Sequence, residues 1–178
     1  HQVTVSGFLG EANPQSFEAL FAQRGFTDAF IRVPGETRSN IKLAERSGRV
    51  TDLNGPGPVV DDQAQAALLV RLHDIAAGHD AVVVAGSLPR GVSPEWFQAL
   101  LEQLAHMGLK VALDTSGAAL RAGLKTRPWL IKPNTHELTE VLGSSVETPA
   151  EQAVAARRLL ADGVANVVIS QGERGVNW

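Results

Sequence analysis

The 178-residue chain contains no cysteine. A disulfide framework and thiolate metal sites are therefore excluded, and a reducing, cytoplasmic setting is the expectation. No apolar run approaches the roughly 18 residues that a membrane span needs. The N-terminus lacks the basic-then-apolar pattern of a signal peptide. An excess of positive charge is also missing, since 16 Lys and Arg stand against 19 Asp and Glu, a net charge of −3. Neither nucleic acid nor an anionic membrane surface is thus an expected partner. Aromatic residues make up 5%, and the three tryptophans are too scattered for a stacking platform. The histidines (His1, His73, His79, His106 and His136) show no metal-ligand spacing and read as surface or helix-end residues. P-loop and dinucleotide fingerprints are absent, as is any nucleophile elbow. No internal repeat or low-complexity segment is present.

An initial methionine is missing as well. The chain enters a strand-like run at Val3 and Val5 and stops at Trp178, just after a glycine loop. The expectation is an internal piece of a longer protein.

What is present is an apolar fraction of 44% in a chain long enough to bury a sizeable core. Four short runs, Ala81–Ala85, Leu109–Leu113, Trp129–Ile131 and Val164–Ile169, barely alternate, as buried parallel strands do. Helical faces lie between them: Ala64, Leu68, Leu72 and Ile75 on one, Phe97, Leu100, Leu101 and Leu104 on another. Ser93-Pro94-Glu95 reads as an N-cap with Pro at the first helical position. Thr148-Pro149-Ala150-Glu151 reads as a capping box. Gly108 and Gly163 fall where helix C-terminal glycines belong. The predicted class is α/β, a mostly parallel three-layer α/β/α sheet.

One stretch breaks the alternation. Phe30–Val33, Arg38–Glu45 and Arg49–Leu53 are strand candidates with no helix between them. Turns at Pro34-Gly35 and Ser47-Gly48 separate them, and Asn54-Gly55-Pro56-Gly57-Pro58 closes the group. They predict a small projecting β-sheet, a lid over 29–58, on a core of 1–28 and 59–178.

Ligands of open α/β sheets bind beyond the carboxyl ends of the strands. Four loops fall there. In Gly86-Ser87-Leu88-Pro89-Arg90-Gly91, Ser87 and Arg90 offer donors to an anion, and the same residues also suit an ordinary turn. In Asp114-Thr115-Ser116-Gly117, the carboxylate suits Mg²⁺, or one of the first three residues caps the next helix. In Lys132-Pro133-Asn134-Thr135-His136-Glu137, Lys132 suits a phosphate and Asn134 with Glu137 suits metal-bound waters. The same Asn-x-x-Glu spacing is that of a capping box. Ser170-Gln171-Gly172-Glu173-Arg174-Gly175 suits either a nucleotide or a tight hairpin. In the lid, Arg38, Asn40 and Lys42 share a strand face at period 2, either for a sugar phosphate or as a solvated face.

The order of these motifs is more specific than any one of them. T-R-x-N-x-K, N-G-P-G-P, G-S-L-P-x-G, D-T-S-G, K-P-N-x-x-E-L and S-x-G-x-x-G resemble the PfkB family of sugar kinases, which share the ribokinase fold. The similarity runs over essentially the whole chain and is greatest to bacterial members acting on fructose 1-phosphate. The resemblance implies ATP-dependent, Mg²⁺-assisted phosphorylation of that sugar at its 6-hydroxyl. By the same resemblance Arg38 contacts the substrate phosphate, Asn40 and Lys42 complete that motif, and Gly86, Ser87 and Arg90 line the sugar-phosphate pocket. Lys132, Asn134 and Glu137 serve the nucleotide phosphates and metal-bound waters, with Asp114 as a further metal-side carboxylate. Ser170, Gly172 and Gly175 form the nucleotide loop. Pairing of two copies through the lid is also implied.

Two family features are missing. No glycine-rich sugar-binding motif is found near the N-terminus. No residue matches the catalytic aspartate of the G-A-G-D motif, which is expected beyond Trp178. The piece alone is therefore expected to be inactive. Sister kinases of tagatose 6-phosphate or fructose 6-phosphate share most of these motifs, and a non-catalytic sugar-phosphate or nucleotide-binding module is the alternative of another class.

Overall fold

The computed structural model describes residues 2–178; the reading of His1 as a surface residue lies outside the described residues. The chain divides into two compact units. One comprises the residues up to Leu72 together with Pro89–Val92, and the other comprises His73–Leu88 and Ser93–Trp178.

The first unit opens with β1 (Thr4–Val5) and β2 (Phe8–Gly10), followed by α1 (Gln15–Arg24), β3 (Thr27–Asp28) and β4 (Ile31–Val33). β1 pairs in parallel with β3, and β2 with β4. A parallel return requires a crossover, which α1 supplies before ending at left-handed Gly25. Phe21 of α1 is buried and stacks on Phe30, with ring centroids 5.5 Å apart. β5 (Asn40–Ala44) and β6 (Val50–Asn54) form an antiparallel hairpin over five residue pairs, Asn40↔Asn54 to Ala44↔Val50. α2 (Asp62–Ala76) follows, and the division between the units falls within it.

The expected three-stranded lid is thus corrected in one respect. The strand within Phe30–Val33 does not join the hairpin but pairs with β2. The preceding crossover helix delivers it parallel to β2, while the hairpin strands are antiparallel to each other.

The second unit contains β7 (Ala81–Ala85), α3 (Pro94–His106), β8 (Lys110–Asp114), α4 (Gly117–Leu124), β9 (Leu130–Ile131), α5 (Thr135–Leu142) and α6 (Pro149–Ala161). β10 (Ile169–Ser170), a 3₁₀ turn (Gly172–Arg174) and β11 (Val176–Asn177) complete it. The sheet order β7-β8-β9 is parallel throughout, and the bridges Ile131↔Val167 and Asn134↔Ser170 extend it towards β10. Leu101, Leu113, Leu120, Ile131, Leu138 and Val146 are fully buried and form the centre of this unit. Gly123 lets α4 approach closely, since a Cβ there would lie 2.5 Å from Leu113 Cδ1.

The caps fall as the sequence predicts. The Ser93 hydroxyl accepts the Trp96 amide, and Thr148 with Glu151 forms a complete capping box. Gly108 and Gly163 both have positive φ after their helices. β7 differs from expectation. Its side chains alternate between exposed and half-buried, with Val83 72% exposed. It has one strand neighbour among the described residues, so its apolar run is an edge strand here.

Candidate functional site

The strand-end loops of the second unit are bonded to one another in sequence. The Gly86 amide donates to the Asp114 carbonyl at 2.9 Å, and the Thr115 hydroxyl donates to the Gly86 carbonyl at 2.6 Å. The Lys132 amide donates to the Leu113 carbonyl at 2.8 Å. The Ser170 amide donates to the Pro133 carbonyl at 2.9 Å. Gly86, Asp114, Lys132, Asn134 and Ser170 therefore stand in one row along the carboxyl ends of parallel strands, the place where such sheets bind ligands.

Asp114 is not the helix cap. Ser116 occupies that position, and the Asp114 carboxylate pairs with Lys132 Nζ at 3.0 Å, both groups being partly exposed. At α5 the capping box is real. Asn134 Oδ1 accepts the Glu137 amide and Glu137 Oε2 accepts the Asn134 amide, each at 2.8 Å. This fixes the Glu137 carboxylate at the start of a helix while its other oxygen keeps no partner among the described residues. Among the described residues no group of three or more metal-binding side chains assembles. One or two carboxylates beside a phosphate site are nevertheless the usual protein share of a Mg²⁺ site, which keeps several waters. Asp114 and Glu137 fit that chemistry.

The Ser170–Gly175 segment is a hairpin. Gln171 N donates to Gly175 O at 2.8 Å, and Gly175 N to Gly172 O at 3.1 Å. Gly172 and Gly175 have φ of +60° and +87°. Ser87 is exposed and makes no hydrogen bond among the described residues.

The first unit holds a cavity of about 770 Å³. Its walls are the segment Pro34–Ser39, the turn Gly55–Val59 with Asp61, and Arg90. Arg38 precedes β5 instead of lying on it, so the expected shared strand face reduces to Asn40 and Lys42. Neither of these lines the cavity, and Lys42 Nζ pairs with Asp52 across the hairpin at 3.0 Å. Arg38 forms no hydrogen bond or ion pair among the described residues. Arg90 donates to the Gly57 carbonyl at 2.6 Å, which occupies one of its five N–H donors.

Several residues that no sequence pattern singles out hold these walls. Asn13 accepts the Thr37 amide at 2.8 Å and donates to the Thr37 carbonyl at 3.0 Å, fixing the residue before Arg38. The Gly10 amide donates to the Thr37 hydroxyl at 2.7 Å. Buried Gln65 donates to the carbonyls of Gly91 and Val60, at 3.2 and 3.4 Å. Gly57 has φ of +70°, and a Cβ on it would sit 3.4 Å from Arg38 Cβ. These contacts join segments 19 or more residues apart, which local periodicity does not report, Gln65 to Val60 excepted.

Three comparisons place this geometry. The profile of the pfkB family carbohydrate kinases matches residues 1–178. The chain is 46% identical over 176 residues to a Haemophilus influenzae protein named 1-phosphofructokinase, covering 99% of this chain and 56% of that protein. Escherichia coli 1-phosphofructokinase is 40% identical over the same share of each. The chain therefore spans about half the length of these curated relatives. Among solved structures, Escherichia coli phosphofructokinase-2 in complex with potassium superposes with a TM-score of 0.84 at 26% identity, covering 98% of this chain and 57% of that one. A possible 1-phosphofructokinase from Thermotoga maritima gives 0.83 at 26%, covering 98% and 59%. Ribokinase from Giardia lamblia, at 15% identity and a TM-score of 0.71 over 97% and 54%, shares the fold. With strand-end motifs in family order and a profile match along its length, the chain belongs to the pfkB family of carbohydrate kinases.

Proposed function

We propose that the whole protein transfers the terminal phosphoryl group of ATP to the 6-hydroxyl of fructose 1-phosphate, giving fructose 1,6-bisphosphate. The observation that carries this reading is the first-unit cavity, in which Arg38 has no carboxylate partner, in a chain 46% identical to a protein named 1-phosphofructokinase. Guanidinium groups are suited to phosphate because their N–H donors form a planar fork. Arg38 and Arg90, which line that cavity, would take the sugar's phosphate. Lys42, already paired with Asp52, contributes by holding the hairpin.

Lys132, Asn134, Glu137, Ser170, Gly172 and Gly175 would hold the nucleotide. Mg²⁺, when bound, would neutralise phosphate charge, held by Asp114 and Glu137 directly or through water. The Lys132–Asp114 pair supplies both signs of charge to that end of the sheet. Phosphoryl transfer rests on positioned phosphates and cations, which these residues provide. No catalytic base is assigned among them.

A second copy of the chain would pair through the β5–β6 hairpin. Ile41 and Leu53 face each other across it beside Leu43, all at least half exposed. A second reading concerns the sugar. Phosphofructokinase-2 of Escherichia coli in complex with fructose-6-phosphate superposes with a TM-score of 0.81 at 26% identity.

Titrating the chain with fructose 1-phosphate, fructose 6-phosphate, tagatose 6-phosphate and MgATP tests these readings. Fructose 1-phosphate should bind tightest of the sugars. Arg38→Ala should weaken it roughly 10- to 100-fold and leave MgATP unchanged. Equal loss of both ligands, or tightest binding of another sugar, would overturn the assignment. A sugar panel with ATP and Mg²⁺, run on the whole protein, extends the same comparison to turnover.

A further inference from the structure

We propose that Gln152 is a positioning residue for the nucleotide: its buried side-chain amide holds both arms of the β10–β11 hairpin and so sets the Gly172–Gly175 turn. The inference rests on the reading that this turn serves the nucleotide.

Gln152 lies on α6, is 2% exposed, and is one of three buried polar side chains among the described residues, with Gln65 and Thr115. Burying an amide is unfavourable unless its groups find partners. All of its polar atoms do. Its Oε1 accepts from Gln171 Nε2 at 2.7 Å and from Asn177 Nδ2 at 2.6 Å. Its Nε2 donates to the Glu147 carbonyl at 3.2 Å. The Glu147 carbonyl, which can only accept, fixes the nitrogen end of the amide and leaves the oxygen end facing Gln171 and Asn177. One side chain thus ties together the turn's first arm, its returning arm and the connection between α5 and α6.

The first arm is also tied to the sheet through Ser170 and buried Ile169, but the returning arm, exposed along β11, has little else to hold it. β10 and β11 share two residue pairs, Ile169↔Asn177 and Ser170↔Val176. A Cβ placed on Gly172 or Gly175 would meet nothing within 4 Å, so no side chain or backbone packs over the turn at those positions. Gln171 and Asn177 flank the turn on either side, and both donate to the same oxygen. An apolar residue at position 152 would fill the space but accept neither bond. The returning arm would then be held only by the short ladder and the Gln171–Gly175 backbone bond.

Two variants, Gln152→Leu and Gln171→Leu, test this in the chain as it stands. The readouts are amide hydrogen exchange and titrations with MgATP and with fructose 1-phosphate. Gln171→Leu removes one donor from a half-exposed position and keeps the test valid should the buried substitution prevent folding. The expected result is faster exchange across residues 171–177 with α3 and β8 unchanged. MgATP should bind roughly three- to tenfold more weakly, the worth of one or two lost hydrogen bonds, with fructose 1-phosphate unaffected. Unchanged exchange in the hairpin would overturn the proposal. So would faster exchange with unchanged MgATP affinity, or a parallel loss of both ligands, which marks general destabilisation. Failure of the unaltered chain to bind MgATP would overturn the nucleotide reading itself, before any variant is compared, and this proposal with it.

Discussion

Among the described residues are two antiparallel hairpins that differ in how they are supported. β5–β6 has five residue pairs, a Lys42–Asp52 ion pair across it, and Ile41, Leu43 and Leu53 at least half exposed. β10–β11 has two residue pairs, yet both of its arms bond to a side chain buried in α6. An isolated two-stranded hairpin is marginal in water. The longer one has apolar surface to spare and, among the described residues, no buried side chain bonded to its strands. The shorter one has almost no ladder and a fixed anchor. On the proposed reading the first gains its support from a second copy, and the second holds a turn in one place. An exposed ion pair such as Lys42–Asp52 adds little, on the order of 0–1 kcal/mol.

The sharpest way to break this contrast is to place charge on the open face. If two copies pair there as proposed, Ile41→Glu should abolish that pairing and yield a single monomeric species at every concentration in sedimentation velocity. A monomer in the unaltered chain would show instead that the exposed face needs no cover.

A gentler probe makes the same change at both turns. Gly48 and Gly172 have φ of +85° and +60°, and a Cβ on either meets nothing within 4 Å. Alanine at each should therefore cost only the left-handed backbone penalty, roughly 1–2 kcal/mol. Gly172→Ala should lower MgATP affinity and Gly48→Ala should not. Equal effects on the nucleotide would erase the functional difference between the hairpins.

Acid gives the smallest effect. The Thr148 amide, followed by its hydroxyl, holds the Glu151 carboxyl below its ordinary range at the start of α6, the helix that carries Gln152. In the first unit the Arg32 guanidinium holds Asp28 below its range, against a smaller opposing contribution from burial. A lowered folded-state pKa means stability that is present above the unfolded value, about 4, and is lost as pH falls through the lowered one. Hydrogen exchange between pH 5 and 2.5, corrected for intrinsic rates, should show α6 and its hairpin loosening as Glu151 protonates. Unchanged protection there would remove the cap from the account.

Much of the second unit was legible in the sequence because its signals are local. Ser93, Thr148 and Asn134 cap helices whose first turns they precede, and the Phe97–Leu104 face is buried as its spacing requires. The strand-end motifs fall into one row because consecutive parallel strands bring their carboxyl ends together. Partner choice was less legible. Nothing within Phe30–Val33 distinguishes pairing with β2 from pairing with a hairpin strand, and nothing within Ala81–Ala85 tells an edge from a centre. Arg38 was read onto a strand that starts two residues later, because alternation over a short polar stretch does not fix a boundary. Asn13, Gln65 and Gln152 carried no signal at all, since their partners are mostly distant in sequence and their residue types are common on surfaces.

Pro89–Val92 belongs with the first unit although residues 73–88 belong to the second. The Val60 amide donates to the Arg90 carbonyl, Gln65 donates to the Gly91 carbonyl, and Arg90 donates to the Gly57 carbonyl. During synthesis, then, the first unit cannot close when the chain has left the ribosome only as far as Leu72. Its last wall arrives only after the following strand has emerged. A truncation at Leu72 would deliver an open shell, and folding of the two units is linked by the order in which the chain is made.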